Sequence, residues 1–178
     1  MLYKLLQKRR SIRSYEPRAV EPEKLERILQ AALLSPSSKG IRPWSFILVD
    51  DKDLLQTLSS CKPHGSGFIA DAAFGIIICA DLQEATAWIE DCSIAAVDIQ
   101  IAAEEEGLGS CWVQVRERKA PDGTSASDYI KQAFNIPPQY EVEAIIAGGY
   151  PAEQKAPYSL RELKWNRVFH NSFGSRYS

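Results

Sequence analysis

Apolar positions recur along this chain in two rhythms, and the switches between them mark out its elements. Leu2, Leu5 and Leu6 share one side of a short helix over 2–9. Leu25, Ile28, Leu29, Ala32 and Leu33 then fall at the i, i+3, i+4, i+7, i+8 spacing of one buried helical stripe. That helix opens at Glu21-Pro22-Glu23, where proline is tolerated in the first turn and acids meet the positive end of the dipole. It stops at Ser35-Pro36-Ser37-Ser38. Ser45 to Val49 is a run of strand formers, and Asp50-Asp51 supplies acids for a helix over about 52–60. Lys62 to Gly67 reads as a loop, and Ala72 to Ala80 as a strand apolar on both faces, which belongs in the middle of a covered sheet. Asp91 is expected to start a long helix through Glu106. Its middle, Ile94 to Ala103, is apolar on more than one side, so it lies deep in the core or is covered by a second chain. Gly107 and Gly109 end it, and Ser110 to Val115 is the next strand. A helix over 126–134 places Tyr129, Ile130, Ala133 and Phe134 inward, and Pro137-Pro138 forbids its continuation. Val142 to Gly149 is a last buried strand.

From Pro151 onward the rhythm is lost. The 28 residues 151–178 carry Trp165, Val168, Phe169 and Phe173 without a period, so the tail is expected to lie against something, a second subunit being one candidate. Strands alternating with helices predict an α/β or α+β sandwich around a central sheet. With 178 residues, 45% of them hydrophobic, the chain can bury one good-sized core, and residues 1–178 read as a single domain. No apolar run approaches the ~20 residues that span a bilayer. Met1 to Leu6 is interrupted by charge too soon for a secretory signal, so a cytoplasmic location is expected. Cys61, Cys79, Cys92 and Cys111 form no paired metal motif and read as buried thiols. Cys61-Lys62-Pro63-His64 has the gap of a two-ligand clip, but a second pair is absent.

Chemistry enters with Lys8-Arg9-Arg10-Ser11-Ile12-Arg13-Ser14, four cations and two serines in seven residues of a chain whose net charge is −2. So local a cluster does not describe a nucleic-acid surface, which would raise the charge of the whole domain. It suits a phosphate, whose oxygens match the guanidinium fork and a neighbouring hydroxyl. If the chain leaves a helix after Arg10, then Arg10 and Arg13 turn toward one point while Ile12 packs inward. The glycine-rich phosphate loops of dinucleotide- and nucleotide-binding folds are absent. The two histidines, His64 and His170, adjoin no strained serine or cysteine turn, so hydrolytic catalysis lacks its parts. A chain so short of ionisable catalytic groups either performs no chemistry or borrows it from a cofactor. Ser35 to Trp44 joins helix to strand through two prolines and a glycine. It either presents hydroxyls, amides and Arg42 to a polar planar ligand, or is a plain helix stop with Trp44 in the core.

Taken in order, Arg9-Arg10-Ser11-x-Arg13, Ser35-Pro36-Ser37-Ser38 leading to Pro43-Trp44-Ser45-Phe46, Gly107 to Trp112, and Gly149-Tyr150-Pro151 resemble the nitroreductase family of flavin enzymes, over about residues 4–155. The resemblance implies an α+β three-layer sandwich: a central, mainly antiparallel sheet flanked by helices, in an entwined homodimer with one FMN at each of two interface sites. It implies that Arg9, Arg10 and Ser11, with Arg13 nearby, hold the flavin phosphate and ribityl chain. Pro36, Ser37, Ser38 and Gly40 would line the flavin from the partner subunit. Cys111, Trp112, Val113 and Gln114 would pass its reactive edge, where a backbone amide bonds N5, and Lys155 would complete the phosphate site. The tail over 151–178 would pack on the partner. Gly40 and Arg42 stand where the family often has asparagine and glutamine, and a cation at Arg42 would favour the anionic reduced flavin. The activity implied is hydride transfer from NADH or NADPH to a nitroaromatic, a quinone or a similar flat acceptor. Dehalogenation, flavin cleavage or a non-catalytic redox sensor are the alternatives.

Overall fold

The computed structural model describes residues 2–177. Four strands, β1 (Trp44–Val49), β2 (Phe74–Asp81), β3 (Gly109–Gln114) and β4 (Tyr140–Gly149), form one sheet in the order β1-β2-β4-β3. Every neighbouring pair is antiparallel, which decides for α+β. The central strands β2 and β4 pair over eight positions, and Ile76, Ile77, Ile78, Ile145, Ile146 and Ala147 are fully buried. Both faces must therefore be covered, and the helices do so.

Side chains alternate across the strands. Ile77, Val113, Ile145 and Ala147 face α3 (Lys52–Ser59) and α5 (Ala126–Ala133), where Leu55, Leu58 and Ile130 meet them. Ile76, Ile78, Ala80 and Ile146 face α2 (Pro22–Leu33) and α4 (Trp88–Glu105), packing against Ile28, Ala32, Cys92, Ala96 and Ile99. Each fully buried Leu, Ile or Val among them contributes about 1.5–3 kcal/mol relative to exposure. The start of α3 is set by Asp51, whose carboxylate accepts the N–H groups of Asp53 and Leu54 at 3.0 Å. A short first helix, α1 (Leu2–Lys8), buries none of its residues. All four cysteines are buried and free.

Three expectations need correcting. Leu33 belongs to the α2 stripe by spacing but is exposed, because it sits in the last turn of the helix, beyond the buried Leu25, Ile28 and Ala32. The long helix begins at Trp88 rather than Asp91, because Trp88 packs on the α2/α4 core and the Asp91 carboxylate reaches Ser38 instead of capping its own helix. Ala133 is exposed, since α5 ends there and Phe134 turns over the core in its place. The apolar excess of α4 is real: Ala95, Ala96, Ile99 and Ala103 are buried, while Ile94 and Val97 face outward. Residues 156–177 include no buried position. Their aromatic rings meet one another, Trp165 stacked on Tyr177 at 6.2 Å and Phe169 tilted against Phe173 at 4.5 Å, and Phe173 is 93% exposed. Among the described residues no helix is long and apolar enough to cross a membrane.

Candidate functional site

The N-terminal cluster is built on extended backbone. Arg9 makes the last helical bond, to the Leu5 carbonyl; Ser11 then bridges Ser110 in parallel, and Tyr15 bridges Pro151. The Ile12 N–H donates to the Ser110 carbonyl at 3.0 Å. Buried Tyr15 donates its hydroxyl to the Ile12 carbonyl at 2.6 Å, and burial raises its pKa well above the usual range. Gly109 permits this close crossing, because a Cβ there would stand 2.8 Å from Ile12.

Extended backbone has a period of two, so Arg9, Ser11 and Arg13 form one row while Arg10 and Ile12 point the other way. The surroundings of Cys111 agree. Burial raises that thiol's pKa, while the charges of Arg13, Lys155 and Arg9 and the Ser11 hydroxyl pull it back down. Arg10 instead caps the Ala156 carbonyl and lies over the Tyr158 ring, 4.5 Å from its centroid. Arg10 and Arg13 thus diverge, and the expectation that they converge fails because the chain leaves its helix two residues early. Ile12 does pack inward.

Among the described residues, no carboxylate lies within 4.0 Å of the charged groups of Arg9, Arg10 or Arg13. Lys155 donates to the Ser11 carbonyl at 2.6 Å and pairs with Glu153 at 3.3 Å. Glu153 also accepts the Arg13 N–H at 2.6 Å, and that bond, with Lys155, holds its carboxyl below the usual range. Sequence gave no signal for Glu153, which acts as the brace of the cluster.

Of the four candidates on β3, Cys111 and Val113 are buried, and Val113 joins the core on the α3/α5 side that also takes up Ile12 and Tyr15. Trp112 packs toward α2 and α4, and its Nε1 donates to Gln114 Oε1 at 3.0 Å. Beyond the bridge at Ser110, β3 is an edge strand.

Pro36, Ser37, Ser38, Gly40 and Arg42 sit elsewhere. Their loop enters β1, three strand spacings or about 14 Å from β3 across the sheet. One chain does not bring the two groups together. The loop itself is held firmly. Asp91 Oδ1 accepts the Ser38 N–H at 2.7 Å, Asp98 accepts the Ser35 hydroxyl at 2.7 Å, and the Ser37 hydroxyl accepts the Arg42 N–H at 2.8 Å. These bonds fix left-handed backbone at Lys39 (φ 53°), Gly40 (φ 68°) and Arg42 (φ 56°), costly for the two non-glycines. Asp91 and Asp98 are two helical turns apart on α4, a spacing that puts both on one face. That was the only sequence signal for this clamp.

Tyr150, in the Gly-Tyr-Pro segment after β4, ties the sheet to α2. Its hydroxyl donates to Glu21 Oε2 at 2.5 Å, and Arg18 lies 3.9 Å above its ring.

Comparison with known proteins settles the lineage of this arrangement. The model of the nitroreductase family matches residues 6–63 and 58–150. The chain belongs to the nitroreductase family. It is 36% identical over 155 residues to a Methanothermobacter thermautotrophicus protein provisionally named NADH dehydrogenase/NAD(P)H nitroreductase, covering 85% of this chain and 78% of that one. An Archaeoglobus fulgidus protein of the same provisional name is 33% identical over 159 residues, covering 87% and 88%. Among solved structures, an FMN-dependent nitroreductase from Clostridium difficile superposes with a TM-score of 0.93 at 49% identity, covering 95% of this chain and 98% of the other. This member of the nitroreductase family shares with that structure the antiparallel sheet and its flanking helices.

Proposed function

We propose that this chain is an FMN-dependent oxidoreductase that takes hydride from NADH or NADPH and passes it to a flat acceptor such as a nitroaromatic or a quinone. The observation that carries the reading is the row Arg9, Ser11 and Arg13, bridged to β3 at Ser110 and joined by Lys155 through the Ser11 carbonyl, at an open sheet edge and lacking carboxylate partners for its guanidiniums. Such a set fits the phosphate of FMN, because each guanidinium has its fork free for an anion. FMN, once held there, supplies hydride acceptance and release at its N5. The chain's part is to anchor the phosphate by these cations and the Ser11 hydroxyl, and to offer the edge backbone of β3 to the ring.

A second copy completes the site. The Pro36–Arg42 loop, fixed by Asp91 and Asp98 but remote from β3, is the element a partner would contribute. Leu33, Leu34, Ile94 and Val97 leave an apolar surface beside it, and the tail over 151–178 exposes Trp165 and Phe173. Both are what a large obligate interface covers. The absorption spectrum of freshly purified protein is the test. A yellow dimer whose ~450 nm band bleaches on adding NADH or NADPH supports the reading; a colourless protein that stays so after incubation with FMN ends it.

A further inference from the structure

Away from the arginine row, the loop after α3 and the loop after β3 meet in an open cleft of ≈ 320 Å³ lined by Lys62, Pro63, His64, Arg118 and Lys119. Four of its five lining side chains carry or can accept positive charge. Among the described residues, none of the four has a carboxylate within 4.0 Å. That is unusual in a chain with more acids than bases, 23 against 21. Neither loop is slack. Buried Ser66 donates its hydroxyl to the Ser59 carbonyl at 2.7 Å and lies 3.3 Å from that of Lys62, and the Arg118 carbonyl accepts the Ala126 N–H at 2.9 Å. Lys62 is half-buried, and burial, joined by repulsion from Arg118, lowers its ammonium pKa. The fold therefore holds like charges together at a cost that a bound anion would remove. Cys61, next to Lys62, is buried in the same core cluster as Val113 and Val115, so the cleft lies on the β3 side of that core.

We propose that the Lys62–His64–Arg118–Lys119 cleft binds a phosphate of the nicotinamide dinucleotide while its reducing end reaches the flavin. This rests on the oxidoreductase reading given above. A second anion site is needed because the first is filled by the flavin's own phosphate, whereas NADH and NADPH bring a diphosphate and NADPH a further 2′-phosphate. A guanidinium and an ammonium on opposite walls of one cleft suit such a group.

The test uses the flavin-loaded protein and the variants Lys62→Ala and Arg118→Ala. The KM for NADH or NADPH should rise roughly tenfold in each, the loss expected for one charge-assisted contact, with kcat and flavin content unchanged. Equal losses with the two dinucleotides assign the cleft to the diphosphate; a loss confined to NADPH assigns it to the 2′-phosphate. Calorimetric titration with inorganic pyrophosphate at low salt should show binding that the double variant loses. If KM for both dinucleotides stays within about twofold of wild type in both variants, the proposal is overturned. If neither dinucleotide reduces the wild-type flavin, the oxidoreductase reading fails first. Pyrophosphate binding that is equal in wild type and double variant then removes the cleft as an anion site as well, and its loss in the double variant retains it.

Discussion

The crossing of the N-terminal segment over β3 depends on the absence of a single methyl group. In Gly109→Ala the new Cβ would stand 2.8 Å from Ile12 Cβ and Cγ2 and 2.9 Å from Cγ1. Carbon–carbon contacts are comfortable from about 3.5 Å, so roughly 0.7 Å must be opened. Neither side yields easily, because Gly109 pairs with Gly149 in the ladder and Ile12 is tied to Ser110 and Tyr15. Overpacking of this kind costs about 1–3 kcal/mol, which for a chain of this size lowers Tm by roughly 2–12 °C. The displaced segment carries Arg9, Ser11 and Arg13, so flavin affinity should fall with it, by about 10–100-fold if one charge-assisted bond is lost. Thermal melts of the flavin-free protein and fluorescence titration with FMN measure the two effects. Adding Ile12→Ala removes two of the three close contacts, so the double variant should be less destabilised than the sum of the single changes. A Gly109→Ala protein that melts with wild type and binds FMN within about twofold of it would refute the reasoning.

Three further outcomes follow from the same geometry. Asp91→Ala leaves the Ser38 N–H without its acceptor and should weaken FMN binding severalfold by freeing the partner-facing loop, while Asp91→Asn, which keeps an acceptor oxygen, should restore it; equal titration curves for all three proteins would dismiss the clamp. Arg42→Gln should lower the midpoint potential of bound FMN, by on the order of 30 mV for a loss near 1.4 kcal/mol, and an unchanged or higher potential contradicts a cation beside the ring. The Tyr150 hydroxyl is the main cause holding the Glu21 carboxyl down at about 2 against an ordinary 4.5. A depressed carboxyl contributes stability that is fully present above 4.5 and lost as pH falls toward 2. The Tm advantage of wild type over Tyr150→Phe should therefore be constant near neutrality and shrink below pH 4.5; an advantage independent of pH would place the role of Tyr150 in packing alone.

What could be read along the chain was what is periodic. The both-faces apolar β2 and the Leu25, Ile28 and Ala32 part of the α2 stripe were legible because burial dictates those residues, whereas Leu33 continues the spacing but is exposed. The direction of strand pairing was not legible, since helices lie between strands in α/β and α+β folds alike, and only contacts such as Ile77 with Ile145 reveal antiparallel order. Asp91 looked like a helix start because acids favour that end of the dipole. Its partner is Ser38, 53 residues away in sequence, and no local pattern announces such a bond. Likewise Lys62 and Arg118 come from separate loops that no period or motif links. The aromatic tail showed no rhythm because nothing within one chain buries it.

The arginine cluster carries the most consequential of these local readings. A helix continuing through Arg10 would join Arg10 with Arg13; extended backbone bridged at Ser11 and Tyr15 joins Arg9 with Arg13 instead. The two geometries predict different phenotypes. Arg13→Ala should weaken FMN binding by roughly tenfold and flatten its salt dependence, as expected when one phosphate contact is lost. Arg10→Ala should leave the salt dependence of flavin binding nearly intact, because Arg10 is committed to the Ala156 carbonyl and the Tyr158 ring. Its effect should appear in the tail, as faster proteolytic cleavage after residue 156. If Arg10→Ala and Arg13→Ala depress flavin affinity alike and leave the tail equally resistant, the two-residue alternation does not describe this segment, and the phosphate is held by both arginines together.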